Sequence, residues 1–120
     1  MLYFYNMSTA TRDDQLFKAL ADARRREILD LLKAAPRTTG ALCDHFAAEI
    51  DRCTVMQHLG VLERAGLVIA RREGRVRWNY LNATPVKEIH DRWISPYATG
   101  AVALLSRMKQ DMERNRRRPA

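Results

Sequence analysis

Between Asp51 and Leu81 the spacing of apolar residues changes from helical to alternating, and few folds accommodate that change in so short a stretch. Val55, Leu59 and Leu62 fall at i, i+4 and i+7. Asp51 ahead of them is a good N-cap, and Gly66 behind them suits the position just past a helix end. At about 100° per residue the three apolar residues form one buried stripe, which turns Cys53, Met56, Gln57, Gly60 and Arg64 outward. From Leu67 the period is two. The runs Leu67 to Arg72 and Val76 to Leu81 flank Glu73-Gly74 and predict a β-hairpin. On the second run Val76, Trp78 and Tyr80 share one face while Arg75, Arg77 and Asn79 share the other, giving the hairpin an arginine-rich tip and rim.

Upstream, Ser8 to Asp14 read as a polar lead-in, and Leu16, Phe17, Ala19 and Leu20 predict a first helix ending near Asp22. Asp22 can cap a second helix carrying Ile28, Leu29, Leu31 and Leu32, which Pro36 stops. Thr38 or Thr39 can cap a short third helix with Leu42, Cys43, Phe46 and Ala47. A short helix, a turn and a second helix with a polar outer face outline a helix-turn-helix, and a hairpin placed directly after it is a wing. Thr84-Pro85 then open a final helical region with Val86, Ile89 and Trp93. Ser95-Pro96 interrupts it, Ser as N-cap and Pro at the first helical position allowing an immediate restart. The stripe of Ala101, Leu104, Leu105, Met108 and Met112 predicts a dimerisation helix, the alternative being that it packs back on its own chain.

The expected fold is mainly α with a small β-hairpin: a winged helix-turn-helix with a dimerisation helix at its end. At 120 residues one domain is the expectation. It comprises an N-terminal arm over 1–14, a helix-turn-helix core over 15–82 with its wing at 67–81, and a C-terminal dimerisation region over 84–116. With 47% apolar residues the chain is too hydrophobic for wholesale disorder. No run approaches the roughly 18 apolar residues of a spanning helix, so no membrane partner is expected. The apolar opening, Met1 to Asn6, lacks the basic region of a secretory leader, and the cytoplasm is the expected compartment. Met7, followed by Ser-Thr-Ala, is an alternative initiator to Met1: residues 1–6 are either an extra interface strand or, if Met7 initiates, no part of the native chain. Cys43 and Cys53 form no C-x-x-C pair and are expected as reduced thiols.

Charge gives the first functional clue. The formal net charge is +7, and the 21 basic residues comprise 17 Arg and 4 Lys. They cluster at Arg71, Arg72, Arg75 and Arg77, and again at Arg107, Lys109, Arg114, Arg116, Arg117 and Arg118. Arginine presents a planar bidentate fork to phosphate or guanine, so the clusters point to nucleic acid, against the plain reading of solvated charge.

Three ordered stretches then carry a family resemblance: Leu16 to Leu32, Thr54 to Val68 with its closing Ala65-Gly66-Leu67-Val68, and Arg71 to Leu81 with Arg72-Glu73-Gly74-Arg75. Together they cover more than half the chain and resemble the ArsR family of winged helix-turn-helix repressors. The resemblance implies a homodimer held by its first and last helices. It also implies two recognition helices in successive major grooves of a near-palindromic operator, and release by an effector that is often a metal ion. By position in the family motif, Arg52, Cys53, Met56 and Gln57 would approach bases, and Thr54, in the same helical half, is expected to take part in reading the groove. Gln57 can pair with adenine, Arg52 can reach guanine or phosphate, and Met56 can touch a thymine methyl. Met56-Gln57 replaces the family's commoner Ser-Arg, so the operator sequence is not inherited. His58 reads as packed or phosphate-bonding, and Arg71, Arg72, Arg75 and Arg77 as minor-groove or phosphate contacts. Leu16, Leu20, Trp93, Leu104, Leu105, Met108 and Met112 are the expected dimer interface.

For the effector the sequence offers less. Thr38 and Gly40 stand where one family metal site has its thiolates, and His90 lacks the second histidine of another, so no metal and no cofactor is expected. Cys53, in the first turn of the recognition helix beside Arg52, is a candidate thiol sensor. Trp78, Trp93 and Tyr97 suit an organic effector or an interface equally. An enzyme is not expected: Asp44-His45 and His90-Asp91 are helix neighbours that do not face each other, and no phosphate loop or nucleophile elbow occurs. The rival reading is a winged-helix module that binds protein without specific DNA recognition.

Overall fold

The computed structural model describes residues 8–117, with the side chains at 97–99, 101 and 117 outside the description. Met1 to Met7, Arg118, and the side chains of Tyr97, Ala101 and Arg117 therefore lie outside the described residues. Two compact units emerge, Met1–Val86 and Lys87–Ala120.

In the first unit, α1 (Thr9–Leu20) starts earlier than expected. The Ser8 hydroxyl accepts the Thr11 N–H at 3.2 Å, so Thr9 to Asp14 of the polar lead-in already belong to the helix. At its other end α1 is sealed by residues of the next helix, α2 (Ala23–Ala34). Arg25 Nε and Nη2 donate to the carbonyls of Ala19 and Lys18 at 2.8 and 2.9 Å, and Arg26 Nη1 donates to that of Leu20 at 2.6 Å. Guanidinium groups thus satisfy carbonyls that a helix end leaves unpaired, where the dipole also favours cations. Asp22 caps α2 as expected, taking the Arg24 and Arg25 N–H groups.

Thr38 caps α3 (Thr39–His45) through the Ala41 N–H, and Asp51 caps α4 (Arg52–Arg64) through that of Thr54 at 2.7 Å. The C-terminus of α4 is a Schellman motif, with Leu67 N–H on the Leu62 carbonyl, Gly66 N–H on that of Glu63, and Gly66 at φ 75°. Val55, Leu59 and Leu62 are fully buried, in a core that also holds Leu16, Ile28, Leu42 and Phe46. Burying each contributes about 2 kcal/mol, which outweighs the roughly 1 kcal/mol that Gly60 costs mid-helix.

The expected hairpin forms, β2 (Val68–Glu73) with β3 (Val76–Leu81), but β2 lies one residue later than the run Leu67 to Arg72, so the turn is Gly74-Arg75, with Gly74 at φ 63°. A third strand escaped the sequence reading: β1 (Arg37–Thr38) pairs antiparallel with β3, giving the order β1-β3-β2. It is only two residues long, too short for a period to register. Its presence buries Asn79, whose Nδ2 donates to the Arg37 carbonyl and the Thr39 hydroxyl at 3.2 and 3.1 Å. The polar face of β3 is therefore partly internal, with Asn79 exchanging water for these bonds.

After α5 (Thr84–Ile89) comes a π-helical turn, His90–Ile94, and then α6 (Ser95–Arg117). Ser95 was expected to stand outside the α region before Pro96, but it is helical and its N–H bonds to the His90 carbonyl, five residues back. The wider turn accommodates a proline that lacks an N–H without breaking the helix. His90 Nδ1 also comes within 3.5 Å of Asp91 Oδ1, so these neighbours do meet, although both are exposed. No helix among the described residues is long and apolar enough to cross a membrane.

Candidate nucleic-acid interface

The stripe that buries α4 leaves its opposite face to solvent, and Arg52, Cys53, Met56, Gln57 and Arg64 are all exposed there. Thr54, half-buried, is engaged in the cap: Asp51 accepts both its N–H and its hydroxyl, which holds the Asp51 carboxyl below its ordinary pKa. The helix start is thereby fixed, with its first-turn amides directed outward where a phosphate is favoured.

Beside this start lies an open cleft of about 420 Å³, lined by Thr38, Thr39 and Gly40 of the β1-α3 segment, Arg52 and Met56 of α4, and Arg72, Arg75, Val76 and Arg77 of the hairpin. Four arginines from two elements thus converge on one concavity. Such a surface attracts polyanions, and its placement beside an outward helix face combines charge with hydrogen-bonding edges. Arg71, Arg72 and Arg75 are exposed, but Arg77 donates through Nη2 to Glu63 Oε2 at 2.6 Å. Of the four wing arginines, Arg77 is the one ion-paired to α4.

His58 is half-buried on the flank of α4, its Nδ1 3.4 Å from Arg25 Nη1. Burial lowers its pKa; the Asp22 carboxylate works against this, and the charges of Arg25 and Arg24 add to it. Asp22 in turn is held below the ordinary carboxylate range: burial pushes it up, but the Arg25 and Arg24 amides and the charges of His58 and Arg25 prevail. His58 is therefore a packed residue linking α4 to the α1-α2 junction.

The expected interface residues divide. Leu16 is 2% exposed and belongs to the core of its own chain, because it shares the inner face of α1 with Ala19; Phe17, next along, is the exposed one at 53%. Leu20 is half-buried. In the second unit Trp93, Leu104, Leu105, Met108 and Met112 are all more than half exposed. Cys43 is buried and Cys53 exposed, both as free thiols. Among the described residues no group of three or more His, Cys, Asp or Glu is arranged to hold a metal.

Comparison with known proteins gives the same answer as the geometry. A helix-turn-helix domain family matches residues 20–70. The chain is 35% identical over 75 residues to the transcriptional repressor SdpR of Bacillus subtilis, covering 62% of this chain and 81% of that one. An ArsR-like transcriptional regulator from Rhodococcus sp. RHA1 superposes with a TM-score of 0.66 at 25% identity, over 89% of this chain and 97% of that one. The homodimeric winged helix-turn-helix DNA-binding domain of a possible ArsR-family regulator from Mycobacterium bovis superposes at 0.58 with 26% identity, over 78% and 92%. Outward recognition face, arginine cleft and relatives together place this chain in the ArsR family of winged helix-turn-helix transcriptional regulators, which are DNA-binding proteins and not enzymes.

Proposed function

We propose that this chain is a repressor that binds a near-palindromic operator as a homodimer and is released by an effector still to be identified. The observation that carries the reading is the junction of the exposed α4 face with the arginine-lined cleft shared by the wing. On this reading Arg52, Cys53, Met56 and Gln57 enter the major groove, Thr54 holds the helix start, and Arg71, Arg72 and Arg75 grip flanking phosphates. The exposed apolar side chains of the final helix, with Trp93, supply the contact between protomers, as the homodimeric relative suggests. Two protomers present two recognition helices, and a two-fold protein calls for a two-fold site.

Fluorescence anisotropy on the DNA upstream of the protein's own gene, against a shuffled duplex and across a salt series, tests the proposal. A preference of about a thousandfold with a steep negative salt slope is expected. Equal, weak binding to both duplexes would refute specific recognition of that DNA and favour a protein partner for the wing.

A further inference from the structure

Arg77 stands apart from the other wing arginines. Its ion pair with Glu63 is short, at 2.6 Å, with side chains only 29% and 41% exposed, and its Nε is buried without a hydrogen-bond partner. Charge-assisted bonds of this length in partly desolvated surroundings are the strong ones. Glu63 lies one residue before the end of α4 and Arg77 is the second residue of β3, so the pair ties the recognition helix to the wing strand.

The hairpin needs such a tie. Its base is pinned by Asn82, whose N–H bonds to the Leu67 carbonyl at 2.8 Å and whose Nδ2 bonds to that of Gly66 at 2.9 Å. β1 holds β3 as far out as the Thr38–Trp78 pair, and beyond it only two strands remain, so the tilt of that tip is left to be set farther out. Arg77 lies in the tip half, paired across the strands with Arg72, and two like charges directly opposite repel. The Glu63 carboxylate offsets that repulsion and draws Arg77 toward the helix.

We infer that Arg77 is a positioning residue and not a DNA contact: its ion pair with Glu63 sets the angle of the wing to the recognition helix. Through that angle it sets how the base-reading face and the phosphate-gripping arginines engage one duplex together. The inference rests on the DNA-binding reading above, and the two fail in different ways.

The test uses the full chain and a duplex that the wild type enriches from a random-sequence pool, with a scrambled duplex as control. Glu63→Gln and Arg77→Gln are each expected to lower specific affinity about fivefold, the scale of a half-exposed ion pair. The double variant is expected to lose no more than either single one, and the salt slope to stay unchanged. A phosphate contact behaves otherwise. If Arg77→Gln reduces the slope by about one while Glu63→Gln leaves affinity intact or raises it, the positioning role is overturned. Should Arg77→Gln fail to fold, Glu63→Gln alone decides, since the two roles give it opposite outcomes. A wild-type chain that enriches no duplex overturns the DNA-binding reading and this inference with it. Arginine side-chain NMR of the free protein then still reports the ion pair itself: loss of a protected Nε–H signal in Glu63→Gln is expected, and its persistence would show that the pair does not hold Arg77.

Discussion

At the scale of single residues, arginine does at least three different jobs in this chain. Arg25 and Arg26 seal the end of α1, Arg37 Nε donates to the Leu31 carbonyl near the end of α2, and Arg77 is held by Glu63. Arg52, Arg71, Arg72 and Arg75 remain exposed, and on the proposed reading they meet the DNA. Arg75→Ala is expected to weaken binding to operator and random duplex alike and to reduce the salt slope by about one, whereas Gln57→Ala changes the ranking among sequences. Equal losses on both duplexes for both variants, read by anisotropy, would contradict this division. His58 gives a pH dependence of definite sign. Burial holds its folded pKa below 6.5, so the unfolded chain binds the proton more readily. Its contribution to stability is full above about pH 6.5 and is lost as pH falls through the folded value. Urea unfolding from about pH 7.5 down to about pH 5 should show stability declining in the wild type and a flatter profile in His58→Gln. Identical slopes would remove His58 as the cause.

At the scale of elements, the two glycines around the end of α4 should respond oppositely to alanine. Gly66 holds φ 75° in the Schellman motif, a conformation costing a residue with a Cβ roughly 1–2 kcal/mol. Gly60 is helical, and a Cβ there would meet only the flexible Arg64 guanidinium at 3.4 Å. Thermal unfolding should therefore show Gly66→Ala lowering Tm, by roughly 4–8 °C for each kcal/mol, and Gly60→Ala raising it by up to about the same amount. A fall in both would mean that Gly60 is needed for packing. The same element shows why local sequence is informative here: cap, stripe and C′ glycine of α4 are all set within sixteen residues, Asp51 to Gly66. The α1 boundary was less legible, because the polar residues Thr9 to Asp14 bury little and only the Ser8 cap marks the start.

At the scale of the whole molecule, the apolar face of α6 should decide the assembly. Leu105 is 63% exposed, and Leu105→Glu places a charge where the proposed interface would desolvate it. Sedimentation velocity should then report a monomer. Specific DNA affinity should drop at least tenfold, since two recognition helices no longer bind as one ligand. A variant that keeps the dimer mass would move the interface elsewhere. The sequence by itself determined what depends on neighbours along the chain: the helix caps at Asp22 and Asp51, the period switch at Leu67, the Gly74 turn, and the outward face of α4. Only the tertiary structure decided what depends on partners distant in sequence. A two-residue β1 exists because β3 pairs with it, and Asn79 is internal where Arg37 and Thr39, about forty residues upstream, take both hydrogen bonds of its amide nitrogen. Leu16 belongs to the core and Phe17 to the surface because of what packs around α1. Arg77 turns from the rim to the recognition helix for the same physical reason: a long cation goes where a carboxylate meets it, and Glu63 lies fourteen residues away in the chain.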